Sequence, residues 1–372
     1  MTGFPLSMVA SFSAGERGAC GASWLARLPR KFKLAVVGGA FALALLFGLL
    51  PYAMRGTSDQ IEKIAVGTEQ GGAEVGAGGH HAGQDSARSS SYSFDPRAEA
   101  LNAQDDHSIH LTPAPDPTVT EDTPLGSLPR ISENGRYPWQ VYARPFNTFD
   151  RRPRVAIIVG DIGSSRVSSD MAIARLPTNV TLAFDALSPV AAAWCARARQ
   201  EGHEALLQVP MEPFDYPRSD PGPDTLLTHL PNTDNLQRLA RALRQGSGYV
   251  GVTTLTGSKF TSDPEKLKPI LTELQRRGLL VFDAHLTPHS VVEDLARGMR
   301  LPVVVNTSRI DVDLAPDQID ESLMQLEKTA KLTGRAVGIV APLPIVIERL
   351  QLWLKDLPSR GVALAPISAM VE

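Results

Sequence analysis

The sequence predicts an α/β fold, a closed or nearly closed (β/α) barrel of seven or eight strands, and three observations point to it. Short apolar runs rich in β-branched residues recur from Arg154 to the C-terminus, the pattern of parallel strands buried on both faces. Helical patterns with their own start and stop signals separate these runs. Seven or eight such units in about 220 residues fit a closed or nearly closed barrel better than a doubly wound sheet, and no GxGxxG or P-loop follows the first run, which weakens the nucleotide-binding alternative. Composition agrees: 43% hydrophobic and 21% charged residues in a chain of 372 suit a folded protein. With 37 basic against 40 acidic residues there is no field to hold a polyanion, which excludes nucleic acid as the expected partner. Two cysteines build neither a disulfide scaffold nor a four-thiolate zinc site.

The segments before the barrel read in order. From Leu34 to Met54 no charge occurs, and about 21 helical residues at ~1.5 Å each cross a ~30 Å hydrocarbon core. Arg27, Arg30, Lys31 and Lys33 precede this stretch. By the positive-inside rule residues 1–33 are cytoplasmic, 34–54 form one helix through the inner membrane, and the rest is periplasmic. The run exceeds a usual signal-peptide core and no clean small-x-small site follows it, which argues against cleavage. Residues 55–123 are rich in Gly, Ala, Ser, Asp and Pro, too poor in apolar surface to fold, and are expected to be a flexible linker. His80 and His81 within it read as incidental. Residues 124–150 regain aromatics, with Asn134-Gly135 as a turn signal between short apolar runs, and are expected to dock on the domain at 151–372.

Within that domain the expected strands are 155–159, 180–184, 205–209, 250–252, 279–282, 303–305, 336–340 and 362–364. Between them, Asp263 and Pro264 open a helix whose Leu267, Ile270, Leu271 and Leu274 share one face before Gly278. Pro269 is tolerable only near that helix's N-terminus. Ile319, Leu323, Leu326 and Ala330 form a second stripe, and Val346, Leu350, Trp353 and Leu357 a third. Cys195 reads as a small core residue.

A barrel keeps its chemistry at the C-terminal ends of its strands. Those positions offer Asp161; Gln208 and Glu212; Thr253, Thr254, Ser258 and Lys259; and Asp283, His285 and His289. The proline-rich connection Met211–Asp234 exceeds ordinary loop length and is expected to wall or cover the site.

The stretches LLQVPMEPFDYP, DPGPDTLLT, GSKFTSD, RRGLLVFDA and GVALAPIS together resemble the divergent polysaccharide deacetylase family, from Arg154 to the end, with a weaker likeness in YARPF upstream. The resemblance implies a deformed barrel related to metal-dependent carbohydrate esterases. It also implies a site with an Asp-Asp pair after the first strand, a His in the LLHLPMEP motif, a His just before the Gly-Ser of the fourth-strand motif, and an HPHP motif after the seventh. Here Gly160-Asp161 stands at the pair, Gln208 and Leu255 at the two histidines, and Ala341 and Leu343 at the last motif. An amide oxygen is a poor zinc ligand and aliphatic groups are none, so no metal site is expected and Asp161 and Asp283 remain as residual catalytic candidates. Gln208, Glu212, Ser258, Lys259 and His285 are candidate ligand-binding residues. The expected function is a membrane-anchored, catalytically degenerate domain that binds an envelope glycan or a periplasmic protein, with no cofactor. Two alternatives stand beside it: an active zinc-dependent N-deacetylase with a site rearranged around Asp161, Asp283, His285 or His289, and an envelope scaffold with a relic cleft.

Overall fold

The eight apolar runs all become strands of one parallel sheet. The computed structural model describes residues 109–254 and 256–371. The expected cytoplasmic segment, the membrane helix at 34–54, most of the linker and Leu255 lie outside these residues. Among the described residues no helix is long and apolar enough to cross a membrane.

The order is β1 (Thr120–Thr123), β2 (Gly126–Pro129), α1 (Pro138–Val141), β3 (Arg154–Ile162), α2 (Arg166–Arg175), β4 (Thr181–Asp185), α3 (Ala191–Gln200) and β5 (Ala205–Gln208). Then follow α4 (Asn232–Leu243), β6 (Gly251–Thr253), α5 (Pro264–Arg276), β7 (Leu280–Asp283), α6 (Val292–Met299), β8 (Val303–Val305) and β9 (Ser308–Arg309). The chain ends with α7 (Pro316–Thr333), β10 (Arg335–Val340), α8 (Pro344–Asp356), β11 (Ala363–Leu364) and a 3₁₀ turn, Ile367–Met370.

Hydrogen-bonded neighbours run β8-β7-β6-β5-β4-β3-β10-β9. The two ends of this list are one stretch of chain, residues 303–309. Its first half pairs with β7 and its second half with β10. The switch takes one residue: Asn306 N–H donates to Asp283 O at 2.8 Å, and Thr307 N–H donates to Val337 O at 2.8 Å. That strand closes the sheet into a barrel whose other staves are β3 to β7 and β10. β11 pairs with the first residues of β3, beneath the start of β4, which accounts for the expected eighth strand.

Alternation sorts the side chains. Ala156, Ile158, Ala183, Leu206, Leu280, Phe282, Val304, Val337 and Ile339 pack together inside. Val155, Ile157, Val159, Leu182, Leu207, Val252 and Val281 face outward to the helices, meeting Leu267, Ile270, Leu271, Leu323, Leu326, Val346 and Leu350. The α5 start is capped by Asp263, whose carboxylate accepts from the backbone N–H groups of Glu265 and Lys266. Pro269 lies inside this helix.

The lower end of the barrel is plugged from both sides of the chain. Val119, Val141 and Tyr142 enter from the N-terminal side, and Ala365, Ile367 and Met370 from the C-terminal side. Glu204, fully buried just before β5, ties the two together by accepting from Arg144 N–H at 2.7 Å and from Ser368 N–H at 3.1 Å. Burial pushes this carboxyl above the ordinary range, against the opposing pull of those donors and of the Ser368 hydroxyl.

On the N-terminal side a hairpin, β1–β2 at 120–129, is antiparallel. Asn134-Gly135 make the expected turn, with Gly135 N–H donating to Ser132 O and Ser132 N–H to Arg136 O, and the chain then enters α1. The hairpin begins inside the stretch assigned to the linker. Thr112 O accepts from the Arg199 guanidinium at 2.7 Å and Asp116 N–H donates to the Tyr142 hydroxyl at 2.9 Å, so these polar residues are ordered by hydrogen bonds where apolar surface is scarce.

Candidate functional site

The upper end of the barrel, where the strands finish, is polar. Period-two alternation carries the inward positions upward from the core. On β5, Leu206 leads to Gln208; on β4, Ala183 leads to Asp185; on β8, Val304 leads to Asn306. On β6, Val252 faces out and Gly251 faces the inward Leu280, so Thr253 faces in. Register joins several of these directly, since Asp185 pairs with Gln208 and Gln208 with Thr253.

Asp161 comes in from β3 through a register shift between Val159 and Ile162. It adopts φ 53°, a left-handed conformation tolerated better by Asp and Asn than by most residues. Gln208 holds it in two ways. The Asp161 backbone N–H donates to Gln208 Oε1 at 2.7 Å, and Gln208 Nε2 donates to Asp161 Oδ1 at 3.1 Å. Beside them, Asp185 Oδ1 accepts from Leu187 N–H at 2.8 Å, and the Ser164 hydroxyl reaches its Oδ2 at only 3.5 Å. Asp185 and Asn306 escape the sequence reading, although each directly follows an apolar run.

Glu212 is a tie between loops. Its Oε1 accepts from Lys259 Nζ at 2.7 Å, and its Oε2 accepts from Thr228 Oγ1 at 2.7 Å and from the Thr228 N–H. Its carbonyl accepts from the N–H groups of Lys259 and Phe260. The long connection after β5 is thereby sewn to the β6 loop, and Ser258 Oγ adds an acceptor for Phe214 N–H at 3.1 Å. Burial alone would raise the Glu212 pKa, but the Lys259 and Thr228 hydrogen bonds outweigh it and hold the carboxyl below its usual range.

Asp283 stands on the outward parity of β7, with Val281. It is 2% exposed and accepts from His285 N–H at 2.9 Å and Ser290 Oγ at 2.8 Å. It therefore shapes the 285–290 loop. His285, with φ 51°, and His289 are exposed on that loop, and His285 Nδ1 is 3.8 Å from Asp283 Oδ2. His203 is buried away from the mouth, its ring nitrogens facing the carbonyls of Val180 and Ile173.

The divalent metal implied by the motif resemblance does not fit these residues. Among the described residues no group of three His, Cys, Asp or Glu could hold one. Gln208 spends both amide atoms on Asp161. Ala341 offers only its backbone, which donates to Asp311 Oδ2. A cavity of about 220 Å³ lies elsewhere, bordered by Leu128, Tyr142, Arg244 and Tyr249, and includes none of the mouth residues.

The class defined here is a closed parallel (β/α) barrel with an acidic, amide-locked mouth at its strand ends. More particularly, the chain belongs to the divergent polysaccharide deacetylase family, whose sequence profile matches residues 157–371. It is 24% identical over 220 residues to the uncharacterized protein YibQ of Escherichia coli, covering 59% of this chain and 67% of that one. An uncharacterized protein of Haemophilus influenzae is 23% identical over 205 residues, covering 55% and 72%. The crystal structure of the uncharacterized protein ATU2773 from Agrobacterium tumefaciens superposes with a TM-score of 0.64 at 35% identity, covering 66% of this chain and 99% of that one.

Proposed function

We propose that this protein is a glycan-binding member of its family, anchored in the inner membrane through residues 34–54, with a periplasmic barrel that holds an envelope glycan and does not hydrolyse it. One observation carries this reading: Gln208 closes on Asp161 through both of its amide atoms. Metal-dependent deacetylation needs about three protein ligands and an open position where bound water becomes hydroxide, together with a base and an acid. In this mouth the carboxylate best placed to take part is tied to an amide, and the positions of the HPHP motif hold Ala341 and Leu343. What remains is a set of hydrogen-bonding groups at a barrel mouth, which suits polyhydroxyl ligands.

The test is acetate release from N-acetylated glucosamine oligomers by the full-length protein, with and without added zinc, alongside zinc titration by calorimetry. No acetate and no zinc affinity tighter than micromolar are expected. Sub-micromolar zinc binding with acetate release that Asp161→Ala abolishes would refute the reading in favour of a rearranged esterase.

A further inference from the structure

We propose that the mouth selects a glycan bearing free, protonated amino groups, a de-N-acetylated amino sugar, over its N-acetylated counterpart; this rests on the glycan-binding reading above and names its ligand class. Asp161 and Asp185 stand at the ends of adjacent strands, and among the described residues neither has an ion-pair partner. Asp161 commits Oδ1 to Gln208, leaving Oδ2 open, and Asp185 commits Oδ1 to Leu187 N–H, leaving Oδ2 with the distant Ser164 hydroxyl. Two cations that follow neighbouring strand segments are engaged with other carboxylates, Lys259 with Glu212 at 2.7 Å and Arg309 with Asp311 at 2.9 Å.

A second observation is independent of charge. Thr253, only 2% exposed and facing inward beside Gln208, has an Oγ1 without a hydrogen-bond partner, and Asn306 Oδ1 is likewise unpartnered and buried. Leaving such atoms unpaired is costly, and native proteins pair nearly all of them. They ask for a ligand that both donates and accepts. A sugar hydroxyl does so: it accepts from Thr253 or donates to Asn306 Oδ1. An ammonium group has three donors and no acceptor, which matches two open carboxylate oxygens. An acetamido group in the same place would offer one neutral N–H donor in place of three charged ones and would bring a carbonyl oxygen and a methyl against those carboxylates, a mismatch that discriminates by lost charge and lost pairing.

The experiment is calorimetric titration of the full-length protein in detergent with a glucosamine tetramer, its fully N-acetylated counterpart, and spermidine as an amine without a sugar. The glucosamine tetramer is expected to bind at least about tenfold tighter than the other two, since one charge-assisted hydrogen bond is worth a factor of this order. Asp185→Asn, which keeps an oxygen for Leu187 N–H, should weaken the glucosamine tetramer about tenfold or more and so remove its advantage over the N-acetylated one. If that variant does not fold, Asp161→Asn serves, because Asn accepts the same backbone conformation. Equal or tighter binding of the N-acetylated tetramer overturns amine selection while leaving glycan binding intact. Spermidine binding as tightly as the amino sugar overturns the sugar part. Failure of both tetramers to bind overturns this inference and the reading beneath it together.

Discussion

Glu212 shows how a polar residue in the site region can be spent on architecture. Its side chain is 3% exposed and its Lys259 partner 43% exposed, so the pair is buried on one side only and the carboxylate cannot be left unmatched. Its donors hold its pKa below the usual range despite burial. The folded state thus binds that proton more weakly than the unfolded chain, and the stabilisation is complete at neutral pH and is lost as the pH falls below the ordinary glutamate value of 4.5 through the folded one. Glu212→Gln should cost about 1–3 kcal/mol at pH 7, the value of charge-assisted hydrogen bonds. Urea denaturation of both proteins across the acid range should show the gap narrowing as the wild-type carboxylate protonates; a gap independent of pH would refute this account. The sequence places Glu212 and Lys259 at strand ends but cannot say that they face each other, because that pairing crosses two loops. The same limit hides the Asp161–Gln208 lock, which spans 47 positions of chain.

At the scale of elements, a feature was legible where periodicity carried it and silent where hydrogen bonds alone did. The runs that became β3 to β8, β10 and β11 are apolar enough to announce themselves. β9 is Ser308–Arg309 and β1 is Thr120–Thr123, reading TEDT, so neither has an apolar face to betray it. Yet β9 is half of the strand that closes the barrel. β6 is only 3 residues long, and it contains the glycine whose added Cβ would meet the tightest backbone contact among the described residues. A Cβ on Gly251 would sit 2.2 Å from the Leu280 carbonyl oxygen and 2.6 Å from the Leu280 side chain. The backbone oxygen cannot retreat without breaking the β6–β7 ladder. Gly251→Ala should therefore destabilise the domain by about 1–3 kcal/mol or more, the range for overpacking a filled core. The urea midpoint measures it, and an unchanged midpoint would show that the ladder yields more easily than its geometry implies.

At the scale of the molecule, one end of the barrel is sealed by apolar side chains and the other is lined by polar ones, and the two ends are built from different parts of the sequence. The mouth is local to the strand ends and their loops. The sealed end needs residues 119–142 and 365–370 to meet beneath the strands, an association over more than 200 positions that no sequence period encodes. Glu204 lies at that meeting, with the Arg144 backbone on one side and Ser368 on the other. Ile367 N–H also donates to Thr181 Oγ1 at 3.0 Å inside the barrel. Deleting residues 367–371 would expose the interior around Ala156 and Ala183, remove the buried Ile367 and Met370 side chains, and leave a fully buried carboxyl with fewer donors. We expect a loss of at least about 3 kcal/mol from the apolar truncation and the unpaired group together. Ser368→Ala, which keeps the plug and removes only one hydroxyl, should cost about 1–2 kcal/mol. Denaturant unfolding followed by tryptophan fluorescence separates the two. If the deletion proves no worse than the single substitution, the C-terminal turn is an ornament on the barrel and the sealed end depends on the N-terminal segment alone.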